Sequence, residues 1–439
     1  MVKPNILMII SHDTGRYLGS YGKKIETPAL NQLAEEGIQF NHYFCSQPQC
    51  SPSRGSILTG MYGHNHGMLG LAHLGHSMNS QVKTIPSEVK KVGYSTWLFG
   101  FHHESIAGNQ DAEKLGYDHV IKIPTNAASK VTDKLEDFLT EKANNDDIPF
   151  YASVGFEETH LPVDHFEPDP IDSVEVPPYL PDTAGVKNDI AHFHGSVKAL
   201  DSAVGRIMKK LKETGLDKNT ILIYTTDHGI PFPRAKGTLL DSGLETALIM
   251  RFPEDMYNQG GLMKEELLCN IDLMPTLLEA AGADIPEEID GHSFLPLIAG
   301  DDYQPRESFF CELTWHDRYH PMRGIRTNKY KYIRNFEKGP KVYLPLDIHQ
   351  TLAGQDVRDE YYVPNTEEEL YDLHNDPLEQ INLADDEQFM EVVKGLRSKV
   401  EEWMKATNDP LLHGPVPGEE APGWKEEVEK GNFKREFIK

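Results

Sequence analysis

Cys50-Ser51-Pro52-Ser53-Arg54 concentrates three chemical capacities in five residues. Proline suits the first turn of a helix, where its missing N–H is not needed. The spacing therefore places Cys50 just before a helix N-terminus. Free N–H groups and the positive end of the helix dipole meet there and favour an anion. Arg54, one turn in, adds a rigid forked donor. A nucleophile, an anion site and a charge clamp arise together. The plainer reading, a buried structural cysteine at a turn, accounts for Cys50 and Pro52 but not for Arg54. Other reactive groups recur in short runs: Ser11-His12-Asp13, Gly100-Phe101-His102-His103, Glu158-Thr159-His160 and Asp227-His228-Gly229.

Each run comes after an apolar stretch that reads as a strand. Asn5 to Ile10, Tyr94 to Phe99, Pro149 to Gly155, Thr220 to Thr225 and Thr246 to Met250 are the expected strands. Between them lie helical patterns: one capped by Thr27 with Pro28 first and Gly37 after its end, one from about Ile190 to Gly215, and one from Asp272 to Ala281. Alternating strands and helices predict an α/β fold, a large mostly parallel sheet sandwiched by helices. In such sheets ligands bind beyond the carboxyl ends of the strands, where the reactive runs fall. After about residue 305 the texture changes. Ile325 to Phe336 alternates like one edge strand, Glu369 to Leu373 like another, and Gln388 to Thr407 like an amphipathic helix. The expected division is a catalytic domain at 1–305 and a C-terminal subdomain, antiparallel sheet plus helix, at 306–439.

The chain has 439 residues, 43 basic and 69 acidic, with a net charge of −26. Such a surface offers no basic stripe to nucleic acid. The first apolar run is too short to span a bilayer and lacks a cleavage site, so no membrane partner is expected. As it stands the sequence reads as cytoplasmic, or as periplasmic or secreted if a signal has been removed. Cys45, Cys50, Cys269 and Cys311 make no disulfide framework in a chain of this size.

The segment from Cys50 to Gly60 resembles the signature of type I sulfatases, C-x-P-S-R-x-x-x-L-T-G, in the alkaline phosphatase superfamily. The run Glu369-Leu370-Tyr371-Asp372-Leu373, with the turn Asn375-Asp376-Pro377 after it, resembles part of the family's C-terminal subdomain. The resemblance implies an alkaline-phosphatase-like fold. It implies that a maturase converts Cys50 to formylglycine, an aldehyde whose hydrate attacks sulfur. It implies one divalent cation, calcium by resemblance, on His12, Asp13, Asp227, His228 and the modified Cys50. It gives Arg54, His103, His160 and Lys236 catalytic roles and makes Asp227 the proton acceptor.

Two positions depart from the family's pattern. His12 stands where an acidic ligand is usual. Calcium prefers oxygen, whereas two imidazoles with two carboxylates suit manganese, zinc or iron; alternatively His12 turns away behind the ligands. Phe101 stands where a lysine is usual, which removes one cation beside the nucleophile. On an ideal strand 102 and 103 face opposite ways, so His102 replaces that charge only if the backbone turns. Gly229 to Pro233 and Tyr319 to Arg323 are similar to the heparan N-sulfatases. That similarity implies sulfate esters or sulfamates of N-sulfoglucosamine-like saccharides as substrates, with His102, His316, Asp317, Arg318, His320 and Arg323 facing the sugar. The alternatives are a sulfatase of O-sulfated sugars, a phosphonate monoester hydrolase or phosphodiesterase of the same superfamily, and a non-catalytic binder of sulfated glycans.

Overall fold

The computed structural model describes residues 3–105, 111–145, 148–257 and 260–437. Eight strands form its large sheet. These are β1 (Asn5–Ser11), β2 (Ile38–Phe40), β4 (Ser95–Gly100), β5 (His119–Ile121), β6 (Phe150–Gly155), β7 (Thr220–Thr226), β8 (Leu248–Arg251) and β9 (Leu262–Lys264). The short strands β3 (Tyr43–Phe44) and β10 (Leu268–Cys269) pair separately. The order across the large sheet is β5-β4-β6-β1-β7-β8-β2-β9. From β5 to β7 all neighbours are parallel. β8 then runs antiparallel to both β7 and β2.

Strand β1 shows why this sequence makes a covered sheet. All seven of its residues are buried. Leu7 and Ile9 enter one core, and Ile6, Met8 and Ile10 the other. A strand's period of two sends alternate side chains to opposite faces, so only an apolar layer on each side suits a continuous apolar run. On the first face lie the helices Ala128–Asn145 and Ala184–Thr214; on the second lie Cys50–Thr59 and Leu273–Ala281.

The helix Pro28–Glu36 begins where the sequence places it, but Thr27 does not cap it through its side chain. The Asp201 carboxylate takes the N–H groups of Ala29 at 3.1 Å and Leu30 at 2.8 Å instead. The long helix starts earlier than its apolar pattern, at Ala184, with Thr183 accepting from Val186 N.

Past residue 305 a four-stranded antiparallel sheet runs β11 (Ser308–Trp315), β12 (Tyr319–Thr327), β13 (Tyr330–Asn335) and β14 (Glu368–Asp372). The single alternating strand expected over 325–336 is a hairpin. Thr327 Oγ1 accepts from Tyr330 N at 2.8 Å, and Arg326 pairs with Lys331. A turn this short leaves the apolar alternation unbroken, so periodicity alone cannot see it. The helix Met390–Ala406 covers this sheet through Val393, Leu396, Val400 and Trp403, the last stacked on Phe310. Leu239 and Leu240, from the loop after β7, and Cys269 of β10 share that core, so this sheet packs against segments of the first 305 residues. Among the described residues no helix is long and apolar enough to cross a membrane.

Two glycines shape the carboxyl edge of the large sheet. Gly100 ends β4 with φ +72°, a conformation L side chains rarely adopt. A Cβ on Gly155 would lie 1.7 Å from Phe101 O. Phe101 N donates to Gly155 O at 2.9 Å, so the turn after β4 is built on the end of β6. Gly155→Ala must push this turn aside. We expect a loss of about 3 kcal/mol, the upper part of the range for overpacking, read from the urea unfolding midpoint. An unchanged midpoint would show that the two strand ends separate freely.

Candidate active site

Cys50 is the first residue of the helix Cys50–Thr59, with Gln49 as the cap, so Pro52 is the third helical residue and Cys50 lies inside the helix rather than just before it. All ten helix residues are buried. Ser53 donates its hydroxyl to the Asp227 carbonyl, and Asn270 Nδ2 donates to Ser53 Oγ at 3.0 Å. Arg54 Nε donates to Asp227 Oδ2 at 2.9 Å. The helix therefore grips the end of β7 by both its backbone and its carboxylate.

The end of β1 meets the same point. Asp13 has φ +57°, in the left-handed region. Aspartate tolerates this better than most residues, and such backbone persists where surrounding bonds hold it. Here Asp13 N donates to Asp227 Oδ1 at 2.9 Å. His12 Nδ1 lies 2.6 Å from Asp13 Oδ1, and His228 Nε2 lies 2.9 Å from the same oxygen. Cys50 Sγ is 3.4 Å from His228 Nε2 and 3.8 Å from Asp13 Oδ1. Ligand atoms from His12, Asp13, Cys50, Asp227 and His228 all fall within 4.8 Å of one another, and all five residues are buried.

Burial would raise the Asp13 carboxyl, yet Lys236, His12 and His228 hold it well below the carboxylate range. Burial would deprotonate the imidazoles, but the carboxylates push His12 up to about 9 and raise His228 well above the ordinary value. For Cys50, burial raises the thiol, and Lys236 and His12 outweigh it and hold it well below the usual value. Two buried carboxylates are thus balanced by protons on imidazoles. A divalent cation can displace those protons, because ligating imidazole must be neutral. The donor set fits such an ion.

A second set of donors, Asp13, His160 and Asp347, lies beside the first. Lys236 Nζ sits among them, 2.7 Å from Asp13 Oδ2, 2.8 Å from Asp347 Oδ2 and 3.3 Å from His160 Nε2. An ammonium fills the place a second metal would take. His160 Nδ1 faces the Leu161 carbonyl at 2.5 Å, which assigns its proton to Nδ1 and leaves Nε2 to accept from Lys236. Burial and the nearby Lys236 cation lower its pKa accordingly.

His103 lies on the other side of Cys50. β4 stops at Gly100, so strand alternation does not govern 102 and 103. His103 Nε2 meets His73 Nδ1 at 3.0 Å with the rings stacked. His102 is buried, with Nε2 3.1 Å from Ser105 Oγ. The Phe101 ring packs 4.7 Å from the His12 ring and 5.1 Å from the Arg54 guanidinium. The two departures from the family's pattern, His12 and Phe101, are therefore in contact.

The residues expected to face a sugar separate into groups. His316 is buried, and although burial lowers an imidazole's pKa, the neighbouring Asp317 pushes it up to about 9. Asp317 accepts from Tyr343 Oη and Leu346 N, which fixes the start of the helix Leu346–Gln350. Arg318 donates to Phe437 O at 2.6 Å and lies over the Phe433 ring. His320 stacks on Tyr343 and lines a small pocket with Gly237, Met322 and Asn335. Arg323 is wholly buried. It makes a two-pronged pair with Asp409, at 2.5 and 3.0 Å, and lies 3.4 Å from Glu312. The contacts of Arg318 and Arg323 hold the C-terminal segment.

Two residues near the site were not singled out from the sequence. His73 sits in a single 3-10 turn, Ala72–Leu74, and has no local signature. Asp347 meets Lys236 across 111 residues, and only the flanking Pro345 hints at a helix start there.

The arrangement matches known proteins. Residues 4–283 match the family model described as sulfatase, and residues 234–351 match the one described as N-sulphoglucosamine sulphohydrolase, C-terminal. The human N-sulphoglucosamine sulphohydrolase is 28% identical, over 94% of this chain and 92% of its own length. An ulvan-active sulfatase of Formosa agariphila is 30% identical, over 94% of this chain and 82% of its own. A solved complex of another protein with its substrate, D-glucosamine-2-N,6-O-disulfate, superposes with a TM-score of 0.70 and 20% identity, covering 94% of this chain and 99% of the other. That likeness is one of fold.

Replacing Arg323 by Met leaves Asp409 buried without its partner. We expect a loss of about 3–5 kcal/mol in unfolding free energy, measured by urea denaturation. Unchanged stability with a weakened substrate KM would instead return Arg323 to the substrate.

Proposed function

We propose, for a chain that belongs to the sulfatase family, the release of sulfate from a sulfated saccharide, with N-sulfoglucosamine-like units as substrate. The observation that carries it is the position of Cys50, at a helix start and within 4.8 Å of four buried metal-type donors, with Lys236 at their edge. The family model and the glucosamine-directed relative support the substrate class.

His12, Asp13, Asp227 and His228 would hold one divalent cation, together with the group made from Cys50. Two imidazoles among the donors favour manganese or zinc over the family's usual calcium. When present, the hydrated formylglycine supplies the attacking oxygen and the cation polarises the sulfuryl oxygens. The chain's own residues do the rest. Lys236 and the N–H groups of the Cys50 helix face the sulfuryl oxygens and offset their charge. Arg54 holds the Asp227 carboxylate in place through its Nε–H. Asp227 takes the proton of the attacking group, and His103 takes the second when sulfate is expelled. His73, bonded to His103 and exposed, connects that proton to solvent. Splitting one displacement into two steps spares water from attacking sulfur.

Beside the nucleophile the site lacks the ammonium of the family's pattern, because Phe101 supplies no charge there. A sulfate ester or sulfamate carries one negative charge and a phosphate monoester nearly two. Matured enzyme should therefore favour sulfated glucosamine over phosphate monoesters in kcat/KM. A higher value for a phosphate monoester than for every sulfated compound tested would sink the proposal. The singly charged phosphonate monoesters and phosphodiesters belong in the same panel.

Cys50→Ala should abolish sulfate release while leaving the unfolding midpoint near wild type, because a small residue at a helix start disturbs little packing. Conversion of Cys50 is checked by peptide mass spectrometry. Dialysis against chelator should remove one metal equivalent per chain and the activity with it, and manganese or zinc should restore both. Two tightly bound equivalents by elemental analysis would contradict the place given to Lys236.

A further inference from the structure

Asp347 is a third carboxylate at the edge of the site, partly exposed where Asp13 and Asp227 are fully buried. Its Oδ2 lies 2.8 Å from Lys236 Nζ and 3.7 Å from His160 Nε2. Its other oxygen accepts from Ile348 N at 2.9 Å. The short helix that carries it is pinned by Asp317 through Leu346 N. Lys236 does not need this partner, since Asp13 already pairs with it at 2.7 Å. A second carboxylate there weakens sulfate binding, so charge balance gives no reason for it.

Its position supplies one. Asp13, on the inner side of Lys236, is wholly buried, whereas the Asp347 side chain keeps 25% of its surface exposed. Asp347 also lines a cavity of about 580 Å³ with Leu161, Pro162, Asn188, His192 and Gln350. A sulfuryl group held between Cys50 and Lys236 would present its leaving group outward, opposite the nucleophile, toward this carboxylate and cavity. The bridging atom of a sulfate ester is an oxygen, an acceptor that a carboxylate repels. The bridging atom of a sulfamate is N–H, a donor that a carboxylate accepts.

We infer that Asp347 determines specificity for a nitrogen-linked leaving group, accepting the sulfamate N–H and afterwards pairing with the ammonium of the released amino sugar, which occupies the cavity beside Leu161 and His192. This rests on the sulfatase function proposed for the site and narrows it to the S–N bond. In the reaction the attacking oxygen forms its bond to sulfur as the S–N bond breaks. The electron pair of that bond goes to nitrogen, which takes a proton from solvent in the open cavity. The resulting amine gains a further solvent proton and stays beside Asp347 as ammonium.

The test compares Asp347→Asn with wild type on glucosamine N-sulfate and glucosamine 6-O-sulfate, both as matured enzyme. A site built to pair a substrate N–H discriminates strongly against analogues that lack it. The ratio of kcat/KM for N-sulfate over 6-O-sulfate should fall at least about 30-fold on this principle. If Asp347 only steadied Lys236, both substrates would lose equally; an unchanged ratio overturns the inference. A binding arm is independent of turnover. In Cys50→Ala protein, calorimetry should show glucosamine binding at least tenfold more tightly than glucose, and Asp347→Asn should erase that difference. Equal binding of the two sugars by the Asp347-intact protein overturns the inference even if sulfate release is observed. Wild type that releases no sulfate from either sugar, yet prefers glucosamine in the binding arm, overturns the function reading and leaves the amine site standing.

Discussion

Two fully buried carboxylates, Asp13 and Asp227, set the conditions for everything around them. An isolated buried carboxylate is too costly to keep ionised. Arg54, Lys236, His12 and His228 surround this pair and supply the balancing charge. Those groups come from four places in the chain: the end of β1, the Cys50 helix, the end of β7 and the loop after it. The requirement to neutralise two acids therefore ties the carboxyl edge of the sheet together. It also delivers Cys50 to the centre of that charge, where its thiol is acidified.

The same constraint explains the contact between His12 and Phe101. Where the family's pattern has an acid and a lysine, this chain has two rings that pack against each other. An acid and a base leave the site together, so the local charge changes little. What changes is the kind of donor offered to a cation, from oxygen to nitrogen, and the loss of a mobile ammonium beside the nucleophile. The remaining ammonium, Lys236, sits on the outer side and bridges Asp13 to Asp347. The site is thus polarised from a buried acid-rich interior to a partly open rim.

The C-terminal sheet takes part in this rim. Asp317 leaves β11 and fixes the helix Leu346–Gln350, which brings Asp347 against Lys236. Arg318 ties the same region to the C-terminal residues, and Arg323 ties it to Asp409. Polar side chains that look alike in the sequence thus divide between holding the rim in place and facing the cavity.

The sequence by itself determined the strands and the places where they end. A run such as Asn5–Ile10 is almost wholly apolar, so it can only be a strand covered on both faces, and its end must carry whatever the sheet presents. Gly60 ends the Cys50 helix by local backbone chemistry, and Pro52 falls within its first turn. Arg54 and Asp227 belong to motifs legible without a structure. Only tertiary structure decided which distant groups share a charge. Asp347 has no local pattern, because its meaning lies in one ammonium 111 residues away. Arg323 reads as a polar residue on an alternating strand, and only the chain's return through Asp409 makes it a buried ion pair. The hairpin at 327–330 hides for a related reason: a short turn preserves the period that marks a strand. Local periodicity records burial, but it does not record partners. Electrostatic pairing acts through space, and the fold alone sets those distances.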